Sequence, residues 1–542
     1  MNSGVRIICS IILASIILTG CQVWGSEGQQ VVQFMTGTDG YPSWNDSIFY
    51  EIFVRSFKDS DGDGIGDFKG LTSRLDYLND GNPRTNDDLE ITGIWLMPIH
   101  PAASYHGYDV IDYYAVNPEY GSLEDFRTFL AAAHQRGMRV IIDLVLNHTS
   151  IEHPWFEAAQ DPASGYHDWY VWSETPLNER TWYPTAGAYY YGFFWSGMPD
   201  LNYKNPAVGE EMKKVARFWL EDVGVDGFRI DAAKYLYEEG LLIEHSADTH
   251  DWFKEFRQYY KEINPQALTV GEVWDAAPIA AEYAQGDELD LTFDFGLSQA
   301  LIVAARTGRT EELSKAVLTA KNSFRAFQFA TFIANHDQNR VMSQLARDPQ
   351  KARMAAMLLL TLPGVPFLYY GEEIGMQGVK PDEQIRTPMQ WTEKANAGFT
   401  LGQPWIEVNT DYQLGINAHE QDTSRDSLLS VYRKLIRLRS EQPALRIGEY
   451  IPVKATHSSV FTFLRAAKDQ TVLVIINLTE EPIRNYQLTL ENGYLAGDLK
   501  AKLLWGKGKI VSPQLNETGG FDGYQPVESI PAYDMVVVEL TQ

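Results

Sequence analysis

At 542 residues the chain is too long for one typical domain, so two or three are expected. Its 45 Lys and Arg against 72 Asp and Glu leave a net charge of −27, which argues against nucleic acid, whose phosphates need clustered cations. A hydrophobic content of 44% is ample for a large core, and 14 Trp and 29 Tyr exceed what packing requires. The surplus aromatic faces suit a cleft that stacks sugar rings, although most of the rings belong to the core.

Residues 1–20 read as a targeting segment: Arg6 starts it, and the apolar stretch IICSIILASIIL is short for a membrane span. The junction Leu18-Thr19-Gly20-Cys21 is similar to a bacterial lipoprotein cleavage and acylation site. Cys9 would leave with the leader, so Cys21 would be the only thiol of the mature chain, without a disulfide partner. An exported, membrane-anchored lipoprotein follows, on the cell surface or the periplasmic face; ordinary leader cleavage at another bond is the alternative. Residues 21–44, rich in Gln, Gly and Ser, read as a flexible tether.

From residue 45, strand-like runs alternate with helical patterns. The runs span 47–57, 93–100, 138–148, 227–234, 267–274, 289–295, 329–337 and 365–375. Amphipathic stretches lie between them, such as 122–137, with Ser122 as N-cap, and 208–224; each ends at a glycine suited to a helix C-terminus. Eight such repeats specify a (β/α)8 TIM barrel, here residues 45–148 and 206–443. Residues 149–205 carry no clear helical period and many Tyr, Trp, Pro and Gly, and read as an excursion domain after strand 3. Beyond Pro443 the pattern turns to short alternating strands, a C-terminal antiparallel β-sandwich over 444–542.

After the first run stands DSDGDGIGD (59–67). Asp59, Asp61, Asp63 and Asp67, with the carbonyl of Ile65, form the pattern of a calcium-binding loop, in which alternate acids place oxygens on one side and glycines allow the turn. A solvated acidic turn is the alternative, but four carboxylates so close repel one another without a cation.

Three acids end their own runs: Asp231 after GFRI, Glu272 after ALTVG, Asp337 after TFIANH. In a parallel barrel these positions converge on the C-terminal face. A proton donor and a carboxylate across an anomeric carbon are what glycosidic bond cleavage needs, while an ion-paired scaffold is the alternative. Arg229 lies two residues before Asp231, on the same strand face, and should hold it ionised. Trp274, two residues after Glu272, would raise that acid's pKa, as a proton donor needs.

DLVLNHTS (143–150), GFRIDAAKY (227–235), GEVW (271–274) and the segment closing at His336-Asp337 resemble, in this order, the signature of the α-amylase superfamily of glycoside hydrolases over roughly residues 44–542. The resemblance implies Asp231 as nucleophile, Glu272 as general acid/base and Asp337 as the third acid, which holds sugar hydroxyls. It implies Arg229, His148 and His336 around the sugar before the cut, and Tyr108 and Asp109 of HGYDVIDYY as the stacking Tyr and its neighbouring acid. It also implies retention of anomeric configuration and a calcium loop after strand one. MPDLN (198–202) is intermediate between the patterns of oligo-1,6-glucosidases and neopullulanases, and RTPMQW (386–391) resembles the α-glucosidase and trehalose synthase branch. Yet Asp382 stands where exo-acting α-glucosidases carry an Arg, and the loop is short. The expectation is therefore an endo-capable α-1,4-glucanase on starch, maltodextrins and maltooligosaccharides. The alternatives are an exo-α-glucosidase or oligo-1,6-glucosidase, a transglycosylating member such as a trehalose synthase, and a silent binding protein, against which the three intact acids count.

Overall fold

The computed structural model describes residues 37–238, 242–491, 493 and 495–542. The leader, Cys21 and the tether up to residue 36 lie outside the described residues.

Eight parallel strands form a nearly closed barrel: β1 (Phe49–Ile52), β2 (Gly93–Leu96), β3 (Arg139–Val145), β4 (Gly227–Asp231), β5 (Leu268–Gly271), β6 (Leu291–Thr292), β7 (Ala330–Thr331) and β8 (Val365–Tyr369). Their order is β7-β8-β1-β2-β3-β4-β5-β6, each paired with its neighbour in parallel register. Every residue of these strands is buried, because helices cover one face and the barrel interior the other. The interior is filled by Phe49, Trp95, Ile141, Val270, Phe293, Phe332 and Phe367, with the Phe49 and Phe367 rings stacked at 4.6 Å. Gly93 on β2 leaves room for this packing, since a Cβ there would stand 2.4 Å from the Phe49 ring.

All eight apolar runs contain a barrel strand, but β6 and β7 have only two residues each, shorter than runs 289–295 and 329–337 suggest. Of the remaining residues, Phe293 and Phe332 still turn their rings into the barrel interior. Between β6 and β7 the barrel is closed by the isolated parallel bridge Phe293–Ala330, where Asp294 N–H donates to the Ala330 carbonyl at 3.1 Å.

The helix Leu123–Gln135 starts at Ser122, whose hydroxyl and Asp125 form a reciprocal capping box. The next stretch is not one continuous α-helix. Pro206–Arg217 is α-helical and continues as a π turn over Phe218–Val223, ending at the left-handed Gly224. The wider turn coincides with the fully buried Trp219, whose indole N–H donates to the Tyr113 carbonyl at 2.8 Å.

After β3 the chain makes its excursion, with a helix at Pro154–Ala159 and a three-stranded antiparallel sheet of Trp172–Ser173, Tyr189–Tyr191 and Trp182–Pro184. Phe156 packs against Tyr170, Trp172 and Tyr190, so many of these aromatic rings are core. The bridge His148–Asp200 and the Leu201 N–H bond to the Asn147 carbonyl tie the excursion back to the end of β3.

Beyond residue 448 two antiparallel sheets face each other, one of five strands and one of three. Alternation gives the larger sheet two buried faces: Val460, Leu464, Leu473 and Ile475 pack toward the smaller sheet, while Phe461, Phe463, Val474 and Ile476 join the barrel's helical core. Two buried arginines fasten the segment that leads into β8. Arg439 donates to the carbonyls of Leu360, Leu362 and Gly364, and Arg465, from the larger sheet, donates to the Thr361 carbonyl at 2.7 Å. Among the described residues no helix is long and apolar enough to cross a membrane.

Candidate active site

Arg229 of β4 is the hub of the site. Its Nη1 lies 2.7 Å from Asp143 of β3 and 2.6 Å from Asp231, and its Nη2 lies 2.7 Å from Glu272, just past β5. One guanidinium therefore gathers carboxylates from three adjacent strands, and burial of this cation is tolerable because each partner is charged and directly bonded. Asp143 also accepts from Trp95 Nε1 at 3.1 Å. Glu272 Oε2 accepts from the Ala232 N–H at 3.1 Å, and Ala232 has a left-handed backbone (φ 47°, ψ 38°).

Asp337 lies beyond β7 and is held from two sides, by His336 Nε2 at 3.2 Å and by Arg386 Nη2 at 2.9 Å. His336 Nδ1 meets Glu51 of β1 at 2.5 Å, and its ring stacks with Tyr108 at 5.5 Å. Arg386 also donates to the His336 carbonyl at 2.9 Å and pairs with Asp382 at 3.3 Å, while Lys380 pairs with Asp382 at 2.8 Å. These groups surround a cavity of about 240 Å³ lined by Tyr108, His106, His148, Asp231, Glu272, Asp337, Asp382 and Arg386, with Phe194, Trp195 and Met198 along the excursion-domain side.

The electrostatics separate the acids. Burial raises Asp231 to about 6 against the pull of Arg229, with Asp143 adding to the rise. Arg229 acts in the expected direction, lowering the pKa, but desolvation outweighs it and the net shift is upward. Glu272 is also raised, first by burial and then by Asp231 and Asp337, against Arg229. The Trp274 ring is half-exposed and lies flat on Phe295, with centroids 4.4 Å apart. Burial opposes ionisation of Asp337 too, but His336 and Arg386 outweigh it and hold the carboxyl far below the usual range. For His336, burial disfavours the charge, yet Asp337 and Glu51 raise the imidazole to about 10. The site thus sets an acid whose ionised form is favoured beside two acids that hold protons more readily.

Of the residues expected from sequence, Tyr108, His148, Asp231, Glu272 and Asp337 line the cavity, while Arg229 and His336 stand buried behind them. Burial lowers His148 to about 3, and its buried Nε2 has no hydrogen-bond partner, a neutral group free to meet a ligand hydroxyl. Asp109 is buried, its Oδ1 accepting from the Ser104 backbone and hydroxyl. Four residues went unseen in the sequence: Asp143, Glu51, His106 and Arg386. Asp143 and Glu51 had a signal, each being a lone acid inside an apolar strand run.

The acidic loop after β1 has its own geometry. Carboxylate oxygens of Asp59, Asp61 and Asp63 lie within 4.8 Å of one another. Asp59 is turned inward, accepting from the backbone of Asp61, Gly62 and Gly64 and from the Thr400 hydroxyl. Burial alone would raise its pKa, but these bonds hold it below the usual range. Asp63 is raised by burial, and the neighbouring aspartates add to that. Asp67 stands apart, capping the helix Phe68–Thr72 through the Gly70 N–H and binding Ser60. The trio offers hard oxygen donors in the pattern a calcium ion takes.

The α-amylase catalytic-domain family model matches residues 51–448. The chain is 42% identical over 460 residues to Alpha-amylase 3 of Dictyoglomus thermophilum, covering 83% of this chain and 88% of that protein. It is 35% identical over 507 residues to the trehalose synthase/amylase TreS of Mycolicibacterium smegmatis, covering 80% and 84% of the two. Among solved structures, the alpha-amylase from H. orenii superposes with a TM-score of 0.78 at 41% identity, covering 91% of this chain and 99% of that one.

Proposed function

This chain belongs to the α-amylase family of glycoside hydrolases, and on that premise we propose that it cleaves α-1,4-glucosidic bonds of starch, maltodextrins and maltooligosaccharides with retention of configuration. The observation that carries this reading is Arg229 bridging Asp231 and Glu272 at 2.6 and 2.7 Å within the cavity that Asp337 also lines. Retention needs two carboxyl groups close together on either side of the anomeric carbon, and a shared guanidinium enforces that closeness.

In this mechanism Asp231 attacks the anomeric carbon while Glu272 protonates the departing glucosidic oxygen. Glu272 then removes a proton from the water that releases the sugar from Asp231. Tyr108 offers a ring face to the sugar before the cut, Asp337 accepts its hydroxyls, and the unpartnered His148 nitrogen supplies a further contact. Calcium fits the trio Asp59, Asp61 and Asp63, with the Ile65 carbonyl nearby, while Asp67 holds the turn by capping the helix Phe68–Thr72. The ion would neutralise mutually repelling carboxylates and stiffen the turn after β1. Lipid anchoring through Cys21 and export to a membrane surface belong to the same reading.

Endo-action is favoured by Asp382, which is engaged by Lys380 and Arg386 and offers no cation to clamp a chain end. The second reading, exo-hydrolysis or transglycosylation, is favoured by Arg386 of RTPMQW entering the cavity. Starch viscosity followed against released reducing ends separates them. Early viscosity loss at low reducing-sugar yield supports endo-action. Glucose released singly from long chains, or trehalose formed from maltose, sinks it.

A further inference from the structure

A line of aromatic side chains leaves the cavity beside Glu272. Phe194, on the cavity wall, touches Phe193 at 5.1 Å, and Phe193 packs on Tyr235 at 4.4 Å. Tyr235 lies four residues past Asp231 and lines a second cavity of about 210 Å³, which it shares with Tyr203, Lys204 and Tyr237. Those same three residues also line a third cavity of about 480 Å³, between the N-terminal halves of the helices Pro206–Arg217 and Ala247–Ile263. There Tyr203 packs on Tyr237 at 5.7 Å and on Trp252 at 5.1 Å.

Asp337, Arg386 and Asp382 occupy one part of the cavity, while the Ala232 N–H joins the chain that leads to Tyr235 to Glu272, the proposed proton donor to the leaving group. The path leaves the cavity past Phe194, whose ring lies 5.1 Å from that of His148. Tyr235 and Tyr237 are half-buried, which leaves ring surface for sugar C–H groups, and the rims carry Lys204, Glu210 and Lys213, whose polar heads match hydroxyls.

Resting on the α-1,4-glucan reading above, we propose that the groove at Lys204 and Tyr237, floored by the buried Tyr203, is a distal glucan-holding site that binds the part of a long chain extending beyond the cavity and sets chain-length preference. Short oligosaccharides do not reach it. Binding energy from such a remote contact acts on long substrates alone.

The test compares kcat/KM for maltotriose and for amylose in the full-length enzyme, its Tyr237→Ala and Lys204→Ala variants, and the conservative Tyr237→Phe. Tyr237→Ala should lower kcat/KM on amylose by roughly 2–10-fold and leave maltotriose unchanged, the range expected for one lost aromatic contact. Lys204→Ala should shift the same ratio in the same direction, and Tyr237→Phe should restore it. Equal effects on both substrates, or none on either, overturn the distal site while the glucanase reading stands. A wild-type enzyme inert on both substrates overturns that reading instead, and the distal site falls with it.

Discussion

Ala232 stands directly after Asp231 in a left-handed conformation and gives its backbone N–H to Glu272 at 3.1 Å. The residue that follows the proposed nucleophile thus orients the proposed acid. A left-handed backbone costs an L-residue roughly 1–2 kcal/mol, more if β-branched. Ala232→Gly should keep activity within about twofold, because glycine adopts this conformation freely. Ala232→Val should lose more than about tenfold in kcat/KM and melt earlier. Equal activity of the two variants would show that the contact does not position Glu272.

Glu272→Gln should fold normally and lose roughly 10²–10⁴ in turnover on maltotriose, the usual contribution of a general acid–base. Asp231→Asn should abolish covalent trapping by a fluorinated glucoside. Peptide mapping checks the second outcome, and a label found on another residue would move the nucleophile.

The activity profile should be bell-shaped in pH. Asp231 must be ionised to attack, and burial raises it to about 6 against Arg229, so kcat/KM falls as pH drops through about 6. Glu272 must hold a proton, and burial pushes it above the ordinary Glu range, which carries the alkaline limb upward. Asp143→Asn removes a negative charge facing Asp231 and should move the acid limb to lower pH. An acid limb already at the ordinary carboxylate range in the wild type would contradict this account.

A cation held by Asp59, Asp61 and Asp63 stabilises only the native state and does so by mass action. Chelation should lower the melting temperature, and Asp61→Ala combined with Asp63→Ala should reproduce the loss without a chelator. An unchanged melting curve after exhaustive chelation rules out a stabilising metal there.

Two acyl chains on Cys21 would hold the protein stably where one gives only marginal affinity. Cys21→Ser should release it to the soluble fraction or leave the precursor uncleaved. Fractionation with immunoblotting reads the result, and undiminished membrane retention with normal processing refutes the anchor.

Much of the catalytic face was legible because its chemistry sits on strand ends, where an apolar run and a terminal acid mark both fold and site. Asp231 and Glu272 are such cases. Asp337 was legible as a residue but not as a place, since β7 ends at Thr331 and the following residues leave the ladder. Arg386 reaches Asp337 across 49 residues from a loop, and no local periodicity encodes that distance. Asp109 sits in a bend, where its carboxylate accepts from Ser104 five residues back, a pairing that no strand periodicity encodes.

The bridge Phe293–Ala330 makes the β6–β7 seam the thinnest joint of the barrel. The helix that precedes β7 is braced from outside, where Lys321 binds Glu449 and the Tyr450 carbonyl, and Arg465 grips Thr361 ahead of β8. The C-terminal sheets therefore act as a splint across the joint. An enzyme deprived of them would lose its barrel first along that line, and Asp337, carried just beyond β7, would be the first of the three acids to drift.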